Sequence, residues 1–341
     1  MNKHIHRLAV TLTVILALAL TTVSCKREGG GGNNNKNSAG ETVAVYVAGY
    51  ADRGAALWKN GTAQAMGSTV PDSEAFSVFA SGGDVYVAGI MPDCEGCDGG
   101  SATLWKNGTA QTLDSAMGNS RANSVFVTGN DVYVAGTAFG EEDSKATLWK
   151  NGAIQKLGGT GSNSQASSVF VSGNDVYVAG NVGSMSNSRA TLWKNGAAQK
   201  LGSTGESRAN SVFASGDDVY VAGIVNVKNV VRATLWKNGV AQALNDGGSS
   251  ALSVFATASD VYVAGTVHVN DVAQATLWKN GVAQTLSSKE SSASSVFVSG
   301  NDVYVAGAAP ENNTGRGMLW KNGAAIPLGI AGTDANAVFV K

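Results

Sequence analysis

Residues 168–201 read SVFVSGNDVYVAGNVGSMSNSRATLWKNGAAQKL, and the fold follows from how this stretch divides. SVFVS and DVYVAG alternate β-branched or aromatic residues with small ones. ATLWK is a third such run and AAQKL a weaker fourth. Ser-Gly-Asn-Asp turns the first run into the second. Asn195-Gly196 joins the third to the fourth, and that dipeptide favours a two-residue type I′ hairpin because both positions need positive φ. The stretch therefore predicts four short antiparallel strands, a to d, and no helical period.

The same unit recurs along the chain. YVAG occurs with its Tyr at 46, 86, 133, 177, 220, 262 and 304. LWKNG occurs with Trp58, Trp105, Trp149, Trp193, Trp236, Trp278 and Trp320, which are all seven tryptophans. SVF or AVF ends on Phe at 79, 126, 170, 213, 255, 297 and 339. The spacing averages about 43 residues, and a period of that length with four strands per unit predicts radial blades. The expected fold is all-β: a seven-bladed β-propeller over 42–341 with four antiparallel strands per blade. A linear β-solenoid is the alternative, with normally shorter repeats and a need for end caps. The repeat region opens on strand b at Val43 and stops after a lone strand a at 337–341. Pairing the C-terminal strand with the N-terminal blade strands closes the ring and removes two exposed edges.

The first 24 residues differ from the rest. Lys3 and Arg7 precede an apolar or Thr run from Leu8 to Val23, and Ser24-Cys25 follows. This pattern resembles a bacterial lipoprotein signal peptide. The resemblance implies lipidation of Cys25, which would become the mature N-terminus and attach the chain to a membrane. Residues 25–41, with KREGGGGNNNKNSAGE after the Cys, read as a lipidated flexible tether. Lys26 in place of Asp lacks the inner-membrane retention signal of Gram-negative lipoproteins, so export to the cell envelope and outer-membrane anchoring are expected. DVYVAG and SVFVSGND resemble YVTN-type bacterial surface propeller repeats, a resemblance specific for fold and weak for activity.

Composition narrows the function. Lys and Arg number 24 against 25 Asp and Glu, a net charge of −1, so no basic surplus points to nucleic acid. Only His268 lies outside the leader, which leaves a two-His metal site without ligands and a catalytic triad with a single candidate base. The expectation is a non-catalytic monomeric binding or scaffold propeller, without cofactor or metal, engaging a protein or a glycan. A hydrolase or lyase using channel-mouth carboxylates is the alternative, with Glu74 and Asp334 as the pair.

Site residues are sought where the blades differ. The tryptophans repeat without variation and read as interblade packing. Asp84, Asp131, Asp175, Asp218, Asp260 and Asp302 begin strand b and should meet the Lys that ends strand c of the same blade. The first blade has Ala44 there. The a–b and c–d turns are nearly identical in every blade, whereas the b–c and d–a loops vary, and alternation puts both variable sets on one face. Beside the channel, the residue before a repeated Ala is Glu74, Arg121, Gln165, Arg208, Ser250, Ser292 or Asp334. After that Ala come Asn123 and Asn210, among others. These positions predict a mixed-charge pocket at the channel mouth, with Arg121 and Arg208 as anchors for an acidic or polar group. Cys94 and Cys97, in a b–c loop, read as a loop-stapling disulfide in an oxidising compartment, with free thiols or a metal as alternatives.

Overall fold

The computed structural model describes residues 43–341, apart from 68–69, 95–98, 116, 162, 185, 204 and 312–313. The described residues form seven four-stranded antiparallel sheets. Residues 164–200 fold as expected: Ser164–Ser172, Asp175–Val182, Arg189–Lys194 and Ala197–Lys200 are strands a to d of blade four. Asn195 and Gly196 take φ of 50° and 80°, the left-handed pair that a type I′ turn requires. Blades are numbered here by their YVAG.

The ring closes between the chain's ends. Strand Asp334–Val340 pairs antiparallel with Val45–Ala51, with Val45 opposite Val340 and Tyr46 opposite Phe339. Backbone hydrogen bonds between Ala44 and Lys341 extend the pairing by one residue. Blade one is thus built from both termini of the repeat region. The architecture is a seven-bladed β-propeller.

The tryptophans fill the wedges between blades. All seven are at most 2% exposed. Trp193 of blade four packs on Tyr133, Ala135 and Leu148 of blade three as well as on Ala166 and Val169 of its own. Its Nε1 donates to the Gly158 carbonyl, and Trp149 and Trp236 make the equivalent bond to Asp114 and Gly202. Removing such an indole costs about 3–5 kcal/mol.

Polar brackets repeat as regularly as the apolar wedges. A buried Ser or Thr at 73, 120, 164, 207, 249, 291 and 333 accepts a hydrogen bond from the strand c backbone of the preceding blade. A second bracket joins neighbouring a strands: Ser77, Ser124, Ser168, Ser211, Ser253 and Ser295 each accept from a Val N–H of the next blade. At the seventh junction Ala337 has no hydroxyl to offer Val78. Ala337→Ser is therefore expected to stabilise the ring by about 0.5–1.5 kcal/mol, the ordinary net worth of one hydrogen bond. A thermal melt that is unchanged or lowered would contradict this.

Six ion pairs form where strand b starts and strand c ends. Lys106–Asp84, Lys150–Asp131, Lys194–Asp175, Lys237–Asp218, Lys279–Asp260 and Lys321–Asp302 lie at 2.7–3.1 Å. In five of the six, hydrogen bonding to the Lys is the first cause holding the Asp below its usual carboxylate range; at Asp260 the turn Asn comes first and the Lys second. The lysines also lie over the YVAG tyrosines at 5.2–5.5 Å. These groups are solvent-exposed, so their role is to hold the turn face in register rather than to supply much stability.

Candidate functional site

The channel is lined by a feature that the repeated SVF does not announce. Phe79, Phe126, Phe170, Phe213, Phe255, Phe297 and Phe339 touch one another in an unbroken circle, with neighbouring ring centroids 4.4–4.9 Å apart. Seven centroids at that spacing lie on a circle of about 5 Å radius, and the rings' own thickness narrows it further. The axis is therefore constricted by an apolar collar. Polar chemistry is confined to the mouths on either side.

The variable face carries the sequence candidates, but in a different setting from the one expected. Glu74, Arg121, Gln165, Arg208 and Asp334 are the first or second residues of strand a in their blades. Each strand a then skips one residue in register. In blade four Ala166 pairs with Gly180 and Ser168 with Ala179, so Ser167 is the extra residue of a β-bulge. Such a bulge re-aims the side chain it carries. Asn123 and Asn210 sit at bulges, and they do not project as free ligand donors. Each Nδ2 donates, at 2.8 Å, to the neighbouring blade's repeated Ala, at Ala166 and Ala251 respectively. Asn336 does the same to Ala75, and also donates to Glu74. These asparagines join neighbouring blades through their Nδ2 groups.

The remaining candidates divide into two groups. Around blades one to three, Arg121 stacks over the Phe76 ring at 3.7 Å. Glu74 is half-buried, and burial pushes its carboxyl above the usual range; Arg121 and the Asn336 hydrogen bond oppose this, and Asp334 adds to it. At blades three to five, Gln165 and Arg208 line one cleft of about 240 Å³. Arg208 lines this cleft with Gln165, whereas Arg121 stacks on Phe76 near Glu74.

The cleft at Gln165 is built from three blades. Ser144 comes from blade three, Arg208 from blade five, and Asn163, Gln165, Asn181, Ser184 and Ser188 from blade four. Gln165 and Asn181 are cross-strand partners, so their amides sit side by side. Asn181 is 7% exposed and, among the described residues, its side chain has no hydrogen-bond partner in the protein. Its amide atoms are open to the cleft, where water or a ligand can meet them. Arg208 lies 3.3 Å from Glu206, so the cleft combines amides and hydroxyls with one guanidinium that is already balanced. Larger clefts of about 340 and 480 Å³ lie elsewhere between blades, the second beside Val225, Val227 and Val240. The first carries Asp52, Arg53, Gln64 and Thr333 among apolar residues, and the second Ser203, Arg232 and Thr234; neither gathers three side-chain amides as the Gln165 cleft does.

Two further candidates fall at the edge of what is described. Cys94 is disulfide-bonded, whereas Cys97 and Cys25 lie outside the described residues. The seven tryptophans are structural, as their burial requires. Asn163, Asn181, Ser144, Ser184 and Ser188 were not legible as site residues, because their convergence depends on how the loops of adjacent blades meet.

No family model matches the sequence, and no curated protein aligns with it significantly. Solved structures do share the fold. An acylaminoacyl peptidase from Pyrococcus horikoshii superposes with a TM-score of 0.50 at 14% identity over 88% of this chain. The chain spans about half of that protein, 52% of its length. The tricorn protease gives 0.44 at 11% identity, over 75% of this chain and 26% of its own. A TolB-assigned protein from Agrobacterium tumefaciens gives 0.43 at 11%, over 87% of this chain and 96% of its own. At such identities the likeness is one of fold. It nevertheless corrects the expectation of a non-catalytic chain, because the fold is shared with a peptidase and does not by itself set this protein apart from enzymes.

Proposed function

We propose that the chain is a glycan-binding propeller tethered at a bacterial cell envelope, with the polar cleft between blades three and five as its binding site. The observation that carries the reading is the convergence of the Asn163, Gln165 and Asn181 amides with the Ser144, Ser184 and Ser188 hydroxyls on one cleft. Amide and hydroxyl groups from neighbouring strands suit a neutral, hydroxyl-rich ligand, whose own groups both donate and accept. The near-balanced charge at Arg208 argues against a multiply charged one. The volume of about 240 Å³ is below the roughly 300–1,000 Å³ of drug-sized sites, which suits one sugar ring with the rest of the chain lying across the open face.

Calorimetric titration of the purified protein with neutral and acidic oligosaccharides tests this. A neutral sugar is expected to bind, and Asn181→Leu and Arg208→Ala each to weaken it by about tenfold or more, the cost of stranding hydrogen-bonding groups. Affinity unchanged in both variants would remove the site.

Glu74 supports a second reading, in which a glycan crossing the mouth is also cleaved. A half-buried carboxyl with a raised pKa beside a second carboxylate, Asp334, is the arrangement a general acid needs. The same titrations, assayed for new reducing ends, distinguish binding from turnover.

The tether belongs to this proposal. The basic start, short apolar run and Ser24-Cys25 support a lipid on Cys25 and anchoring in the outer membrane. Cys25→Ser is expected to move the protein from the membrane fraction to the soluble fraction, and an unchanged distribution would contradict the anchor.

A further inference from the structure

Seven Asn-Gly turns join strands c and d, and their backbones are nearly superposable: the Asn φ values are 50–52° and the Gly values 79–83°. Asn-Gly is also the dipeptide most prone to lose ammonia, because no side chain shields the glycine nitrogen. The fold therefore contains seven copies of one reactive unit in one geometry, and differences in reactivity must come from what holds each amide.

In six turns the amide is held at both ends. Asn195 Oδ1 accepts from the Val176 N–H, and its Nδ2 donates to Asp175 at 2.8 Å. Asn107, Asn151, Asn238, Asn280 and Asn322 make the same two contacts, with Nδ2–Asp distances of 2.7–2.8 Å. The carboxylate fixes the side-chain rotamer.

Blade one lacks that restraint. Asn60 Oδ1 accepts from the Val45 N–H, but Ala44 occupies the Asp position. Among the described residues no acceptor meets Asn60 Nδ2. We infer that Asn60 is the deamidation site of this protein, and that the other six turns are protected by their aspartates.

The reaction balances with water as the only co-reactant. The Gly61 amide gives up its proton to solvent and its nitrogen bonds to Asn60 Cγ. The Cγ–Nδ2 bond breaks and ammonia leaves, giving a succinimide. Water then opens the ring at one carbonyl or the other, leaving aspartate or a β-linked isoaspartate. Either product puts a carboxylate beside Lys59, the strand c lysine whose blade has no Asp at that position. The β-linked product also lengthens the main chain at the hairpin of the blade that closes the ring.

The test is incubation of the intact folded protein in oxygen-18 water at mildly alkaline pH, followed by peptide mass mapping, so that conversion during incubation is heavier than conversion during digestion. Asn60 is expected to convert about tenfold faster than the mean of the other six, the scale of one charge-assisted hydrogen bond. Ala44→Asp should bring Asn60 down to their rate, and Asp175→Ala should raise Asn195 to that of Asn60. Seven equal rates, or an Asn60 rate unaffected by Ala44→Asp, would overturn the inference.

Discussion

A chain ending at Gly332 is expected not to fold. Removing Asp334–Val340 takes away the innermost strand of blade one. It uncovers Val47, Trp58 and Leu328, which pack with Ala335, Val338 and Val340. It also breaks the phenylalanine collar at Phe339 and leaves the Val45–Ala51 edge unpaired, an invitation to aggregation. The lost contacts bear on both neighbours of blade one, so the damage exceeds the roughly 5–15 kcal/mol that stabilises an ordinary domain. Near-ultraviolet circular dichroism should show no fixed tertiary packing. Addition of a peptide spanning 333–341 should restore it in part. A truncated chain that melts cooperatively within a few degrees of the full one would contradict the role given to this strand.

The second large effect comes from one hydrogen-sized position. At Gly180 an added Cβ would lie 1.9 Å from the Gln165 carbonyl oxygen, and at the YVAG glycines of the other blades it would lie 1.9–2.0 Å from the equivalent carbonyl oxygen of their own strand a. The obstacle is backbone, and the bulge beside it leaves no rotamer to adjust. Gly180→Ala is expected to cost more than about 3 kcal/mol, a fall in melting temperature of about 5 °C for a domain of this size. Ligand binding at the adjacent cleft should fall with it, since Gln165 must move. Gly161→Ala is the control, because a Cβ there meets nothing within 4 Å; its melting point should be nearly unchanged. Equal effects from the two substitutions would show that close approach at YVAG does not matter.

These two cases mark where the sequence was legible and where it was not. Strand identity is a local property, so SVFVS, DVYVAG and ATLWK could be read one by one, and blade count followed from Tyr46 through Tyr304. The Asp–Lys pairs were legible too, because antiparallel neighbours put the start of one strand beside the end of the next. The phenylalanine collar was not: a period of about 43 residues says that Phe79 and Phe126 are equivalent, but not at what radius they stand. Nor was the clamp role of Asn123 and Asn210. They sit at bulges, and the bulge depends on the approach of a YVAG glycine to a carbonyl more than ten residues away. The cleft was half legible. Variation pointed to Gln165 and Arg208, while Asn181 follows YVAG in a strand that looked structural throughout.

That Glu74 and Asp334 stand near each other while Gln165 and Arg208 serve a different cleft has a simple cause. A seven-membered mouth is wider than the reach of most side chains, so residues combine only across a few neighbouring blades.

Closure of the ring by its two ends underlies all of this, and a cysteine pair at Val45 and Val340 tests it most directly. The two face each other across the closing strands. Ala44 and Lys341 beside them form the hydrogen-bonded pair, so Val45 and Val340 are the non-hydrogen-bonded pair, with Cα atoms about 4.5 Å apart and within disulfide reach. Mild oxidation of Val45→Cys/Val340→Cys should give a monomer in which peptide mapping finds residues 45 and 340 linked within one chain. Failure to form that link in the folded protein, or a link that joins two chains, would contradict the closed propeller.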